Sequence, residues 1–236
     1  MFPNLKKVFW SDVSVTEADH GFGISLDQRA LKTPEKHAFA VPARGLAEAV
    51  AAEWRAQKGD IDPAAMPFTG LSNAAIDKMP GQMGAVIDIL AAYGETDLLC
   101  HRATGPASLI ETQSAAWDPF LGWIKDRHGM AFTVTAGVMP VAQPDESLAA
   151  LRDWVAQHDN FAMMALHDLV MISGSIIVAF AVTHKHVGAA EAWPVTRIDE
   201  DWQAAQWGAD AEAEKAAAIK RADFLRAAEF YDFVTA

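Results

Sequence analysis

The 236-residue chain has a single cysteine, Cys100, so no internal disulfide can form, and the composition fits a reducing compartment. The N-terminal stretch MFPNLKKVFWSDVSV lacks both the apolar run of a signal peptide and the Arg/Ser-rich pattern of a transit peptide, so a cytoplasmic protein is expected. Long hydrophobic runs are missing too. The longest, LVMISGSIIVAFAV (169–182), falls short of the ~20 residues that cross a bilayer, and His167, Asp168, His184, Lys185 and His186 flank it. A buried core helix is expected there, with no membrane insertion. No period of 20–50 residues repeats, so a solenoid is not indicated. Positive charge is scarce: 19 Lys and Arg face 31 Asp and Glu, for a net charge of −12. The first 60 residues are balanced, so the whole excess lies beyond them. An acidic body repels phosphate backbones, which makes nucleic acid and anionic membrane poor partners and favours a basic or mixed-charge protein surface.

What is present supports a sizeable core, since 51% of residues are hydrophobic and 21% charged. KVFWSDVSV and FGISLD, separated by the turn signal His20-Gly21, are rich in β-branched and aromatic residues and read as strands. RALKTP and HAFAVP continue the pattern, each closed by a proline. The period then changes. In RGLAEAVAAEWRAQKG, Leu46, Val50, Trp54 and Gln57 fall along one helical stripe that ends at Gly59. Beyond Gly81 alanine-rich helical patterns dominate, punctuated by Gly105-Pro106, MPVAQPDE and Trp193-Pro194. AFTVTAGV reads as a brief extended segment. The fold class is therefore α+β: an N-terminal β-rich domain with one helix over residues 1–80, then a larger, mainly α-helical domain over 81–236.

No catalytic motif stands up. Gly21-Phe-Gly23 lacks the third glycine and the helix of a nucleotide loop, and Ser173-Gly-Ser175 lacks the frame of a nucleophile elbow. Small residues there, Ser175 and Ala179, suit close helix approach. His184 and His186, two apart, diverge on a helix, and no further motif completes a metal sphere. His167-Asp168 reads as a satisfied core pair, although an enzyme using that pair or the C-terminal carboxylates is the alternative function. Cys100 beside His101 is half of a thiol site only by adjacency. No cofactor, metal or small-molecule substrate is expected.

Residues 191–214, EAWPVTRIDEDWQAAQWGADAEAE, set three tryptophans among carboxylates. Wound as one helix over 199–218, despite Gly208, the segment puts Glu200, Gln203, Trp207, Asp210 and Glu214 on one side. Trp202, Ala205, Ala209, Ala213 and Ala216 fall opposite, as the core stripe. Trp207 then sits among carboxylates on the solvent side, and two readings stand: it packs under another helix, or it is an aromatic anchor ringed by groups that select a basic partner.

Ordered motifs along nearly the whole chain carry a resemblance. They are LDQRALKTP (26–34), LAEAVAAEWRAQ (46–57), IDPAAMPFTGLSNAAID (61–77), YGETDLLCHR (93–102), WDPFLGW (117–123), GVMPVAQP (137–144), GSIIVAFAV (174–182) and DEDWQAAQWGADAEA (199–213). Together they resemble the Atp12 family of assembly chaperones for the F1 sector of ATP synthase. The resemblance implies a non-catalytic protein that binds the free F1 α subunit and keeps it from aggregating until it pairs with β. It also implies an N-terminal β-containing domain before a larger helical one, in the bacterial cytoplasm or, for eukaryotic relatives, the mitochondrial matrix. The family's sensitive acidic residue carries over to Glu200, and its Glu-Trp pair to Glu53 and Trp54. Trp54 and Trp202 are read as structural. One departure is Asp27-Gln28, where the family has Asp-Gly, which leaves the turn type at that hairpin open.

Overall fold

The structure is a computed structural model that describes residues 7–137, 139 and 141–236; Val138 and Pro140 of the GVMPVAQP motif, and the first six residues, lie outside the described set. Four short strands come first: β1 (Val13–Ala18), β2 (Gly21–Leu26), β3 (Arg29–Ala30) and β4 (Ala40–Val41). The helices α1 (Arg44–Ala56), α2 (Pro67–Asp77) and α3 (Met79–Ala92) follow, then β5 (His101–Arg102), α4 (Ala107–His128) and β6 (Thr135–Ala136). The rest is helical: α5 (Asp145–Ala156), α6 (Asn160–Ser173), α7 (Ile176–Thr183), α8 (Ala189–Val195), α9 (Ile198–Trp207) and α10 (Ala211–Thr235). A small N-terminal sheet followed by a mostly helical region is the expected α+β class. The chain forms two compact units, one of Met1–Met83, Asp159–Ala165 and Glu229–Ala236, the other of Gly84–His158 and Leu166–Ala228.

In the first unit β2 is the central strand. It pairs antiparallel with all of β1, from Val13↔Leu26 to Ala18↔Gly21, and with β3 and β4. Alternation sends Ile24 and Leu26 inward, where α1 lays Leu46, Ala47, Val50 and Ala51 against them. Phe39, Val41, Phe230 and Tyr231 complete that core. Trp54 continues the α1 stripe and sits half-buried against Trp10, 5.1 Å between rings. The first hairpin needs its glycine: Gly21 has φ +126, and a Cβ there would lie 2.2 Å from the Val41 carbonyl oxygen. At the second hairpin Asp27 alone takes positive φ, 54°, so the turn is not type I′, which needs it at both central residues. Its Oδ1 accepts from the backbone N–H of Ser11 and of Asp12, both at 2.9 Å, and these bonds hold the carboxyl below its ordinary pKa.

Helix α2 starts without help from its own N-cap residue, Met66. Glu53 of α1 takes that role: its carboxylate accepts from Phe68 N (2.7 Å), Thr69 N (2.8 Å) and Thr69 Oγ1 (2.7 Å). Gln57, at the end of the same helix, accepts from Asp62 N at 2.8 Å.

In the second unit the apolar run 169–182 is buried apart from the stretch around the exposed Met171, but it is not one helix. It breaks at Gly174 (φ +70) into α6 and α7, because Ser175 leaves helical geometry to cap α7 through its Oγ, which accepts from Val178 N at 3.0 Å. Beneath this elbow lies Asp97, fully buried. Its carboxylate accepts from Ser175 Oγ (2.8 and 2.9 Å), Leu99 N (2.9 Å) and Ile177 N (3.0 Å). Burial outweighs these bonds and raises its pKa to about 6. The extended segment expected near residue 135 forms as β6, paired in parallel with β5 through His101↔Thr135 and Arg102↔Ala136. The Trp193-Pro194 break is also displaced: α8 runs through Pro194 and ends one residue later, at Val195.

Glu53→Ala should lower the stability of the first unit by about 2–3 kcal/mol, since three donors lose a charged acceptor. Urea unfolding checks this, and a loss under about 0.5 kcal/mol would make the cap dispensable. Asp97→Asn should cost about 2 kcal/mol or more, because one amide oxygen cannot serve both Leu99 N and Ile177 N. The raised pKa means the native state holds the extra proton between the ordinary 3.8 and about 6. Its contribution is therefore complete below the lower value and lost as pH rises through the upper one. The same substitution should flatten that part of the stability–pH curve.

Candidate functional site

The site lies in the second unit and starts from the base of an α-helical hairpin. Trp117 of α4 donates its Nε1–H to the Val195 carbonyl (2.8 Å), and the buried Gln113 donates from Nε2 to Asp199 Oδ1 (2.6 Å). These bonds fix the start of α9. Its first turn holds Asp199, Glu200 and Asp201, where the helix dipole favours negative charge. Arg197, just before it, reaches Glu200 (3.2 Å) and Asp201 (3.4 Å), the i,i+3 and i,i+4 spacings. On the other side Phe224 of α10 is buried and lies 5.7 Å from the Trp193 ring.

The continuous helix expected over 199–218 does not form. Gly208 takes φ +98, ψ 150, a region open to glycine almost alone, and it ends α9. Asp210 then starts α10, its Oδ1 accepting from Glu212 N (2.8 Å) and Ala213 N (3.3 Å). The short turn folds α10 back beside α9. The supposed core stripe is therefore absent: Ala205, Ala209, Ala213 and Ala216 are exposed, Trp202 is only half-buried, and α9 has no buried residue. A helix that buries nothing of its own draws little stability from packing.

Between the two helices runs a groove of about 710 Å³. All five residues singled out in the sequence, Glu200, Gln203, Trp207, Asp210 and Glu214, line it. The chain reversal brings them together, in place of the single helical face that was expected. Trp207 is 77% exposed, which excludes its packing under another helix. Its ring meets Trp202 edge-on, 6.0 Å between centroids. The groove also contains Arg197, Lys220 and Arg221, which the acid-centred reading of the sequence passed over. The spacing of Arg197 to Glu200 and Asp201 was the visible signal; nothing local marked Lys220 or Arg221.

The other candidates remain apart. His167 Nδ1 lies 3.0 Å from Asp168 Oδ1 on half-exposed α6 positions, and neither residue lines the groove. Cys100 is buried, and burial together with the negative charge of Asp97 pushes its pKa to about 12, so it is no nucleophile. His186 stacks on Trp123 (4.2 Å, 9°) and His184 on Phe180 (3.9 Å, 19°), with Trp123 also edge-on to His184 at 6.4 Å. In the first unit Glu35, His37 and Asp77 hold possible metal-ligand atoms within 4.8 Å of one another. Hydrogen bonds account for that cluster. Asp77 accepts from Thr33 Oγ1 (2.6 Å) and Glu35 N (3.2 Å), and His37 Nδ1 lies 2.8 Å away, which clamps the loop after β3 to the end of α2. Among the described residues, no helix is long and apolar enough to cross a membrane.

Comparison with known proteins agrees with this architecture. The model of the family described as ATP12 chaperone protein matches residues 7–125. The mitochondrial protein atp12 of Schizosaccharomyces pombe is 24% identical over 212 residues, covering 85% of this chain and 73% of that protein. The crystal structure of Atp12 from Paracoccus denitrificans superposes with a TM-score of 0.93 at 40% identity, covering 97% of this chain and 98% of the other. A point mutant of the Paracoccus protein gives 0.93 at 39% identity, covering 97% of each chain. On the family model, the sequence identity and the shared fold, the chain belongs to the Atp12 chaperone family.

Proposed function

We propose that this protein is a non-catalytic chaperone of ATP synthase assembly that holds the free F1 α subunit and prevents its aggregation until it pairs with β. The observation that carries the reading is the exposed Trp207 in a carboxylate-bearing groove, on a hairpin whose first helix buries nothing. An unassembled subunit exposes surface that is apolar at its centre and polar at its rim, and such surface self-associates. An aromatic anchor covers the centre, and Glu200, Asp201 and Glu214 meet the rim. Exposed charges favour fast encounter and modest affinity, which suits a client that must be handed on. The sequence shows no phosphate-binding loop, so release comes from exchange with the β subunit. The bacterial cytoplasm or the mitochondrial matrix, where F1 assembles, is the compartment.

Dilution of unfolded α subunit into buffer, followed by light scattering, tests this. Scattering should fall to a plateau near one chaperone per α, with no comparable effect on β or an unrelated aggregating protein. Aggregation of α regardless of added chaperone would refute the proposal. Trp207→Ala and Glu200→Lys should each weaken the suppression several-fold. Because Trp207 is solvent-facing, its variant should stay within about 0.5 kcal/mol of the wild-type unfolding free energy, and Glu200→Lys, which also loses the Arg197 ion pair and opposes the helix dipole, within about 1–2 kcal/mol.

A further inference from the structure

Most charges in the groove are already occupied. Arg197 is shared between Glu200 and Asp201, and Asp210 caps α10. Three remain, all on α10: Glu214 near the turn, and Lys220 and Arg221 further along, none in an ion pair among the described residues. Six or seven residues of helix separate the acid from the bases, about 9–10 Å. We infer that the groove reads charge at two points, and that its occupant is an amphipathic α-helix with small or apolar side chains, one basic side chain facing Glu214 and one acidic side chain facing Lys220 and Arg221. This deepens the client-binding reading above and rests on it.

The geometry favours a helix over an extended segment. Both walls are α-helices, so neither offers the unpaired backbone edge that an added strand requires. Two helices alone enclose no core, and a third laid along them does. The small lining residues Ala213 and Ala217 leave room for an occupant's axis to approach α10, since interaxial distance follows side-chain size. On the occupant, side chains seven apart fall on one face, which is the spacing that meets both charge points. Trp207 supplies the anchor.

The two-point arrangement also serves selection. A body with net charge −12 attracts basic segments of every kind. Lys220 and Arg221 repel the far end of a uniformly basic segment, so long-range attraction and final fit have different requirements.

The test uses the full chain and three alanine–leucine helical peptides. They carry Lys and Glu seven residues apart, Lys at both positions, or Glu at both. Binding is followed by tryptophan fluorescence, with Trp207→Phe as the control that the signal comes from the groove. The mixed peptide should bind about tenfold more tightly than either like-charged peptide. On a K220E/R221E variant, checked by circular dichroism for intact helicity, the Lys–Lys peptide should become the preferred one. Equal or tighter binding of Lys–Lys to the wild type, an unchanged order on the variant, or binding of no peptide would each overturn the inference. Scattering of α is measured in parallel. Suppression of α aggregation without any peptide order sinks the two-point inference and leaves the chaperone reading standing. Peptide order without suppression does the reverse.

Discussion

Helix starts leave backbone N–H groups without partners, and at three of them in this chain a carboxylate accepts. Glu53 caps α2 from α1, Asp97 caps α7 from 80 positions away, and Asp210 caps α10 from the turn just before it. The consequences differ with burial. Asp97 sits where water cannot substitute, and Glu53 is partly buried, so the elements they join depend on them. Asp210 lies at the surface, where its cap sets the direction in which α10 leaves the turn. One need, satisfied at three depths, fixes the core of the first unit, the elbow over Asp97 and the shape of the groove.

The groove follows from where these satisfactions stop. Trp117, Gln113 and Phe224 hold the base of the hairpin, and beyond them the first helix has no buried residue. Its alanines keep helix propensity high at little cost in exposed apolar surface. Such a surface is well suited to brief occupation, because it is formed in advance and gains burial only when something lies in it.

Local patterns in the sequence were readable where local rules decide the outcome. The stripe of Leu46, Val50 and Trp54 is α1, and the alternation around Ile24 is the central strand. The acidic and aromatic residues later found in the groove were legible as a set. What escaped was set by single residues or distant partners. Gly174 and Gly208 each end a helix that periodicity alone carries through, because helical phase does not register one residue with positive φ. Pro194 is the opposite case, lying inside α8 where the sequence suggests a break, with the helix ending one residue later. The roles of Glu53 and Asp97 were illegible, since their partners lie 15 to 80 positions along the chain. Lys220 and Arg221 gained meaning only when the chain reversal set them in the same groove as Trp207.

Cys100 has a consequence of a practical kind. It is the sole thiol, fully buried, and its pKa of about 12 leaves almost no thiolate at neutral pH. Toward a maleimide or a disulfide reagent the folded chain therefore behaves as though it had no cysteine. A thiol introduced on the hairpin would label alone, giving a one-site dye or cross-linker without removal of the native residue. Conversely, reaction at Cys100 itself would report each opening of the second unit, a clock for its breathing that needs no substitution at all.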